Sequence, residues 1–258
     1  MARKARVKSK TGIYHIMVRG VNRQEIFHDD ADCEKYLEII QKYKARTAIQ
    51  FYAWCLMNNH VHLLLKEGNE PLATTMKRIG VSYVRYYNWK YRTTGHLFQD
   101  RFRSENVETS AYLLTVTRYI HQNPVKAKIT TRVDKWKWSS CLGYYGEPYF
   151  PGDLLDKELV LGLFSGHETT AQARFKAFNE EPNQDQCLED RFYTIRKTDE
   201  EARTEIKQLL GQLEIAHVKS LPRLERNAIL RRVKGIKGLS QRQAARILGV
   251  SANLIFKA

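Results

Sequence analysis

The run Asn58-Asn59-His60-Val61-His62 sets two imidazoles two residues apart inside an otherwise apolar stretch. In an extended strand, residues i and i+2 point to the same face. Val61, Leu63 and Leu65 then face one way, and His60, His62, Leu64 and Lys66 the other. Two neutral imidazoles side by side can hold one metal ion. The same pattern also suits a wet sheet edge with no chemistry, and the spacing alone favours that reading, since most such pairs are structural. Zinc would want a third and fourth soft ligand, and no Cys/His cluster supplies them at useful spacing. Magnesium or manganese, completed by a side-chain oxygen, waters and a phosphate, suits the pair better.

A second candidate lies in "RYIHQNPVKA", residues 118–127. Tyr119 is polar within an apolar helical pattern, and Asn123 follows one turn later on the same helix face. A tyrosine can be a covalent nucleophile when its target is organised for it; on this helix alone an ordinary amphipathic-helix tyrosine is the favoured reading. Pro124 disfavours helical geometry at Asn123, so a kink or a helix end is expected there. A third feature runs from Lys77 to Arg103. Lys77, Arg78, Arg85, Lys90, Arg92, Arg101 and Arg103 interleave with Tyr83, Tyr86, Tyr87, Trp89, Tyr91, Phe98 and Phe102. Cations neutralise phosphates and aromatic rings stack on unpaired bases, so the mixture points to nucleic acid, although about half of the rings are expected in the core.

The elements that must position these residues are legible from their periodicity. "GIYHIMVRG" (12–20) alternates and ends in glycine, as a strand does. Residues 29–47 open on acids, repeat apolar residues at helical spacing and close on bases, which predicts a helix with a complemented dipole. "IQFYAWCLM" (49–57) reads as a strand, and Asn58-Asn59, tolerant of the left-handed conformation, as a hairpin turn into the histidine strand. Residues 71–95 predict a long helix, 96–108 one or two short strands, and 109–127 a helix capped by Thr109. This order predicts an α+β domain with helices on one face of an antiparallel sheet. Residues 131–165 read as an irregular wrap, and the chain from Glu168 onward as mostly helical.

The balance of the chain points the same way. Forty-three Lys and Arg against 28 Asp and Glu give a net charge of +15 over 258 residues, which favours a polyanionic partner. Hydrophobic residues make up 43% of the chain, enough for a core. No apolar run approaches the length of a membrane span, and the basic N-terminus precedes no apolar segment of the secretory kind. A cytoplasmic, nucleoid-associated protein is expected. The four cysteines, with no C-x-x-C pair, read as free thiols.

Taken together, H-x-H in "NNHVHLLL", then "GHLFQDRFRS", then "YIHQNPVKA" resemble the single-tyrosine HUH transposases, most nearly the REP-associated tyrosine transposase-like branch. The resemblance spans about residues 10–130. It implies a ferredoxin-like catalytic domain that cuts single-stranded, hairpin-bearing DNA through a 5′-phosphotyrosine. It implies His60 and His62 as ligands of Mg2+ or Mn2+, Tyr119 as nucleophile and Asn123 as a third ligand, in a monomer or homodimer. Lys66 stands where replication initiators and relaxases carry a further histidine, which argues against those relatives.

The C-terminus has its own signature. Residues 179–218 carry ten acids against five bases, and residues 219–258 ten bases against one acid, Glu225. Ser240 caps "QRQAARIL", Gly249 supplies a turn, and Ser251 caps "ANLIFKA". This predicts a helix-turn-helix for duplex DNA, with Arg242 and Arg246 as contacts. Seven residues follow that last cap, so a truncated module is one expectation. Three segments follow: a catalytic domain over 1–130, a wrap and acidic connector over 131–218, and a basic DNA-binding segment over 219–258. The competing expectation is a catalytically silent DNA-binding regulator descended from such an enzyme; RNA binding is a third.

Overall fold

The computed structural model describes residues 7–185, 187–188, 197–236 and 238–258; the first six residues of the basic arm lie outside them. Two compact units divide at Arg191, one of residues 1–191 and one of 192–258. In the first, β1 (Ile13–Arg19), α1 (Asp30–Thr47), β2 (Gln50–Met57), β3 (His60–Lys66), α2 (Leu72–Tyr91), β4 (Arg103–Asn106) and α3 (Ser110–Lys126) follow in the expected order. The strands form one antiparallel sheet ordered β2-β3-β1-β4. That order and the two split β-α-β units make the ferredoxin-like arrangement.

Helices cover both faces of this sheet, not one. Every residue of β1 but Arg19, of β2 but Gln50 and of β3 but Lys66 is buried, so both faces need cover. α1 and α2 take the face of Val18, Val61 and Leu63. There Tyr36 and Tyr83 meet edge to face at 5.1 Å, and the Tyr83 hydroxyl donates to the Ile26 carbonyl at 2.5 Å. α3 takes the other face, with the Tyr119 ring 5.8 Å from the rings of both His15 and His62. α1 starts where the sequence predicts, because the Asp29 carboxylate accepts from the Asp32 amide. α3 likewise starts at Thr109, whose hydroxyl accepts from the Tyr112 amide. It does not end at Asn123: it continues through Pro124 to Lys126. Proline costs the helix one amide donor, but the Ala127 amide still closes on the Asn123 carbonyl.

The chain after α3 packs into this same unit. α4 (Cys141–Tyr144), α5 (Glu158–Leu161) and α6 (Glu168–Glu180) contribute Tyr144, Val160 and Phe175 to the core that holds the sheet. The connection runs along the outer edge of β2. The Leu56 amide donates to the Trp138 carbonyl and the Ser140 amide to the Trp54 carbonyl. The Asp156 amide donates to the Phe51 carbonyl, and the Tyr144 hydroxyl to the Tyr52 carbonyl at 2.6 Å. The four cysteines are buried and form no disulfide with one another.

The second unit is a helical cluster of α7 (Asp199–Leu210), α8 (Arg223–Lys234), α9 (Gln241–Leu248) and α10 (Ala252–Lys257) around Ile206, Val218, Leu230, Leu248 and Ile255. Thr198 and Glu201 form a reciprocal capping box at the start of α7. Of the acidic stretch, the part from Asp199 to Leu210 is α7 and joins this unit's core, while residues 186 and 189–196 lie outside the described residues. Ser240 and Ser251 cap α9 and α10 as the sequence predicts, and Gly249 between them takes the left-handed conformation at φ 63°. Among the described residues, no helix is long and apolar enough to cross a membrane.

Candidate active site

β3 starts directly after the turn at Asn58-Asn59. Neither asparagine has positive φ, so their tolerance of that region is not what selects them. Their polar groups bind the neighbouring loop instead. The Asn58 carbonyl accepts from the Ile26 and Phe27 amides at 2.8 and 3.0 Å, and the Asn59 carbonyl from the Gly20 amide at 2.9 Å. The Asn59 side chain donates through Nδ2 to the Arg23 carbonyl and faces His60 Nδ1 with Oδ1 at 2.6 Å. An amide oxygen only accepts, so the proton sits on His60 Nδ1, and Nε2 carries the lone pair that could bind a metal.

His62 lies two residues on, its ring 5.0 Å from that of His60. Its Nδ1 is 3.0 Å from His15 Nε2. One proton lies between the two nitrogens; when His62 donates it, His62 Nε2 is left as the ligand atom. His15 and His62 are fully buried, and His60 and Tyr119 nearly so, with Tyr119 at 2% exposure. Sequence reasoning passed over His15. The signal was there: in "GIYHIMVRG" His15 alternates with Met17 and Arg19, and the register sets Met17 opposite His62 and Arg19 opposite His60. His15 therefore shares the histidine face of the sheet.

On α3, Lys126 sits two turns beyond Tyr119 with its ammonium 4.7 Å from the centre of the tyrosine ring. Asn123 is buried, and its Nδ2 donates to the Tyr119 carbonyl at 2.9 Å. That bond ties the side chain to its own helix, so a ligating role would fall to Oδ1. Among the described residues no cluster of three His, Cys, Asp or Glu can hold a metal. Two imidazole nitrogens and an amide oxygen are donors of a kind that a hard divalent ion keeping waters and taking phosphate could use. His121, between these residues, faces the other way. It is fully buried, with Nε2 2.8 Å from Ser140 Oγ and Nδ1 3.1 Å from Asn179 Oδ1. Burial pushes its pKa down to about 4, so it is a neutral tie between α3, α4 and α6.

The expected DNA contacts separate into groups. Lys77, Arg85, Arg92, Arg101, Arg103 and Arg242 are exposed. Arg78 is exposed and pairs with Glu70. Arg246 pairs with Asp199 at 2.6 Å. Lys90 is turned inward: its ammonium meets Asp29 and Asp32, both at 2.7 Å. Asp32 is fully buried and also accepts from Tyr86, Tyr91 and the His28 amide. Burial alone would raise the Asp32 carboxyl; the bonds from Lys90 and Tyr91 outweigh it and hold the group below its usual range. Lys90 thus joins α2 to the start of α1. Of the aromatic residues, Tyr83 and Tyr87 are core and Trp89 is 79% exposed.

Comparison with known proteins adds a family. Curated proteins give no match. Among solved structures, a REP-associated tyrosine transposase bound to a REP hairpin is similar at 19% identity, over 59% of this chain and 90% of that one, with a TM-score of 0.49. A family model described as "Transposase IS200 like" matches residues 8–123, the stretch that holds the whole sheet, His15, His60, His62, Tyr119 and Asn123. Residues 8–123 of this chain are thus similar to the IS200-like transposases.

Proposed function

We propose that this protein cuts and rejoins single strands of hairpin-bearing DNA through a covalent bond between Tyr119 and a 5′-phosphate. One observation carries the reading: Tyr119 of α3, distant in sequence, meets His60 and His62 of β3 in one cluster, with successive ring centres 5.0 and 5.8 Å apart. The Tyr119 oxygen attacks phosphorus in line as its proton leaves. The bond to the 3′-oxygen breaks, and that oxygen departs as a hydroxyl once it takes up a proton. The phosphotyrosine keeps the bond energy, so a 3′-hydroxyl can reverse the step and seal a new junction. His60 Nε2, His62 Nε2 and Asn123 Oδ1 would hold Mg2+ or Mn2+, which would polarise the scissile phosphate. Asn59 and His15 hold the imidazoles in the orientation and tautomer this needs. Lys126 favours the negative charge that grows on the phenol. The second unit, with Arg242 exposed at the start of α9, would add duplex contacts.

A second reading, a DNA-binding protein without cleavage, draws on the burial of the centre: at 2% exposure Tyr119 meets a strand only after the site opens. One assay separates the two. The protein is incubated with labelled hairpin oligonucleotides taken from the DNA flanking its gene, with Mg2+ or Mn2+, and resolved on a denaturing gel. A covalent adduct lost in Tyr119→Phe and in His62→Ala supports cleavage. Binding with no adduct under either metal supports the second reading, and an adduct that persists in Tyr119→Phe removes the nucleophile assignment.

A further inference from the structure

A cavity of about 650 Å3 opens between α2 and the loop 95–102. Its walls are apolar, with Met76, Ile79 and Val84 from the helix and Phe98 and Phe102 from the loop, and its lining includes the exposed cations Lys77, Arg85 and Arg101. We propose that this hollow binds one unpaired nucleobase of the DNA strand that crosses the active site. The inference deepens the proposed cleavage reading, and takes the identity of the strand from it.

Three features select this occupant. An apolar chamber with aromatic side chains suits a flat ring that stacks, and stacking does not depend on which base is offered. Cations beside an apolar chamber suit a group that carries a phosphate on each side, as an internal nucleotide does. The third feature is the route. A smaller hollow, lined by Met17, Arg19, Gln99 and Arg103, shares Asp100 and Arg101 with the larger one. Met17 stands opposite His62 across β1 and β3, Arg19 opposite His60, and Arg103 opposite Met17 on β4. Adjacent strands lie about 4.8 Å apart, so the Arg103 backbone is roughly 10 Å from that of His62. A strand with its scissile phosphate at the histidines can lay the next phosphates along Arg19 and Arg103, turn at Arg101, and place a base in the apolar hollow a few nucleotides from the cut.

The helix itself leaves room. Gly80 lies in the cavity wall, and a Cβ built there meets Phe98 at 3.7 Å, an ordinary contact. Gly80→Ala is therefore tolerated, and Gly80→Leu projects into the hollow. Ala73 is exposed on the lining, so Ala73→Trp obstructs the hollow from a surface position without touching the core.

The test uses the full chain and a fluorescent hairpin DNA whose single-stranded flanks carry either normal bases or abasic sites, so that phosphates are equal and bases differ. The wild type is expected to bind the base-bearing flank at least tenfold more tightly, as loss of a stacked base implies. Gly80→Leu and Ala73→Trp should each bring base-bearing DNA down to the abasic level and leave abasic binding unchanged, while Gly80→Ala behaves as wild type. Lys77→Glu with Arg85→Glu should weaken both DNAs and reduce the dependence on salt. Equal binding of the two DNAs by the wild type overturns the proposal, as does an unchanged preference in both filled variants; circular dichroism checks that each variant is folded. A stronger preference for a hairpin RNA of the same sequence overturns the choice of DNA. The Tyr119 adduct, read in parallel, separates the two claims: an adduct without base preference removes the pocket alone, and base preference without an adduct removes the cleavage reading alone.

Discussion

His121 offers the sharpest test of the buried network around α3, because its chemistry and its packing fix both sign and size. The ring is fully buried against Tyr144 and Phe175, and its two nitrogens are engaged by Ser140 and Asn179. Its pKa falls from the usual 6.5 to about 4 because burial disfavours the charged ring. The unfolded chain therefore binds a proton below pH 6.5 that the native protein refuses until pH 4, and stability falls with pH across that window. At 1.36 kcal/mol per pH unit, the loss is about 2 kcal/mol at pH 5 and about 3 kcal/mol at pH 4. For a unit of this size, the pH 5 figure corresponds to a fall in Tm of roughly 4–8 °C. The assay is thermal unfolding followed by circular dichroism at pH 7 and pH 5 for the wild type and His121→Gln. Glutamine keeps a donor and an acceptor but does not titrate, so contributions common to both proteins cancel in the difference. The wild type should lose about 2 kcal/mol more than the variant on acidification. Equal losses would refute the claim that His121 is a neutral structural tie.

The remaining predictions concern the site and its frame. Lys90→Met should destabilise the first unit by about 2 kcal/mol, less than a fully buried broken pair because Lys90 is partly exposed and Asp32 keeps its tyrosine bonds. That gap should narrow below about pH 4, since a carboxylate with a depressed pKa gives up its stabilising contribution as it is protonated. DNA affinity should be unchanged at permissive temperature, which chemical denaturation and gel shifts together would check. His15→Phe should lower Mn2+ affinity, measured by calorimetry, by roughly 10–100-fold with little loss of fold, because His62 loses the partner that sets its tautomer; unchanged affinity would contradict that role. Trp89→Ala should weaken single-stranded DNA binding by a few-fold or more and leave stability alone, as expected for an exposed stacking ring.

The motifs and the order of elements in the first unit were legible because each depends on local chemistry. A capped, periodic helix such as Asp30–Thr47 announces itself, and so does an alternating strand such as Ile13–Arg19. The placement of α3 was not legible in the same way. Its apolar stripe says that it packs, but only the burial of β1 and β3 on both faces says that a second face waits for it. Lys90 reads as one more cation in a basic helix. Its inward turn depends on Asp32, 58 residues earlier, which no local pattern links to it. His15 was overlooked for a similar reason: its partner His62 is 47 residues away, and the two meet only once β1 and β3 are paired. The boundary near residue 130 followed the motifs, whereas the core continues through Tyr144 and Phe175 to Cys187.

The pairing along β2 has a consequence for how small the catalytic part can be made. A fragment ending after α3 would keep every residue of the cluster around His62. It would also strip β2 of its partners at Trp138, Ser140 and Asp156, and uncover a long edge whose side chains are Phe51, Tyr52, Trp54 and Leu56. Such an edge invites pairing between copies, so the minimal fragment would be expected to precipitate, or to assemble through added strands, before its chemistry could be measured. The stretch beyond the last motif thus acts as a built-in solubiliser.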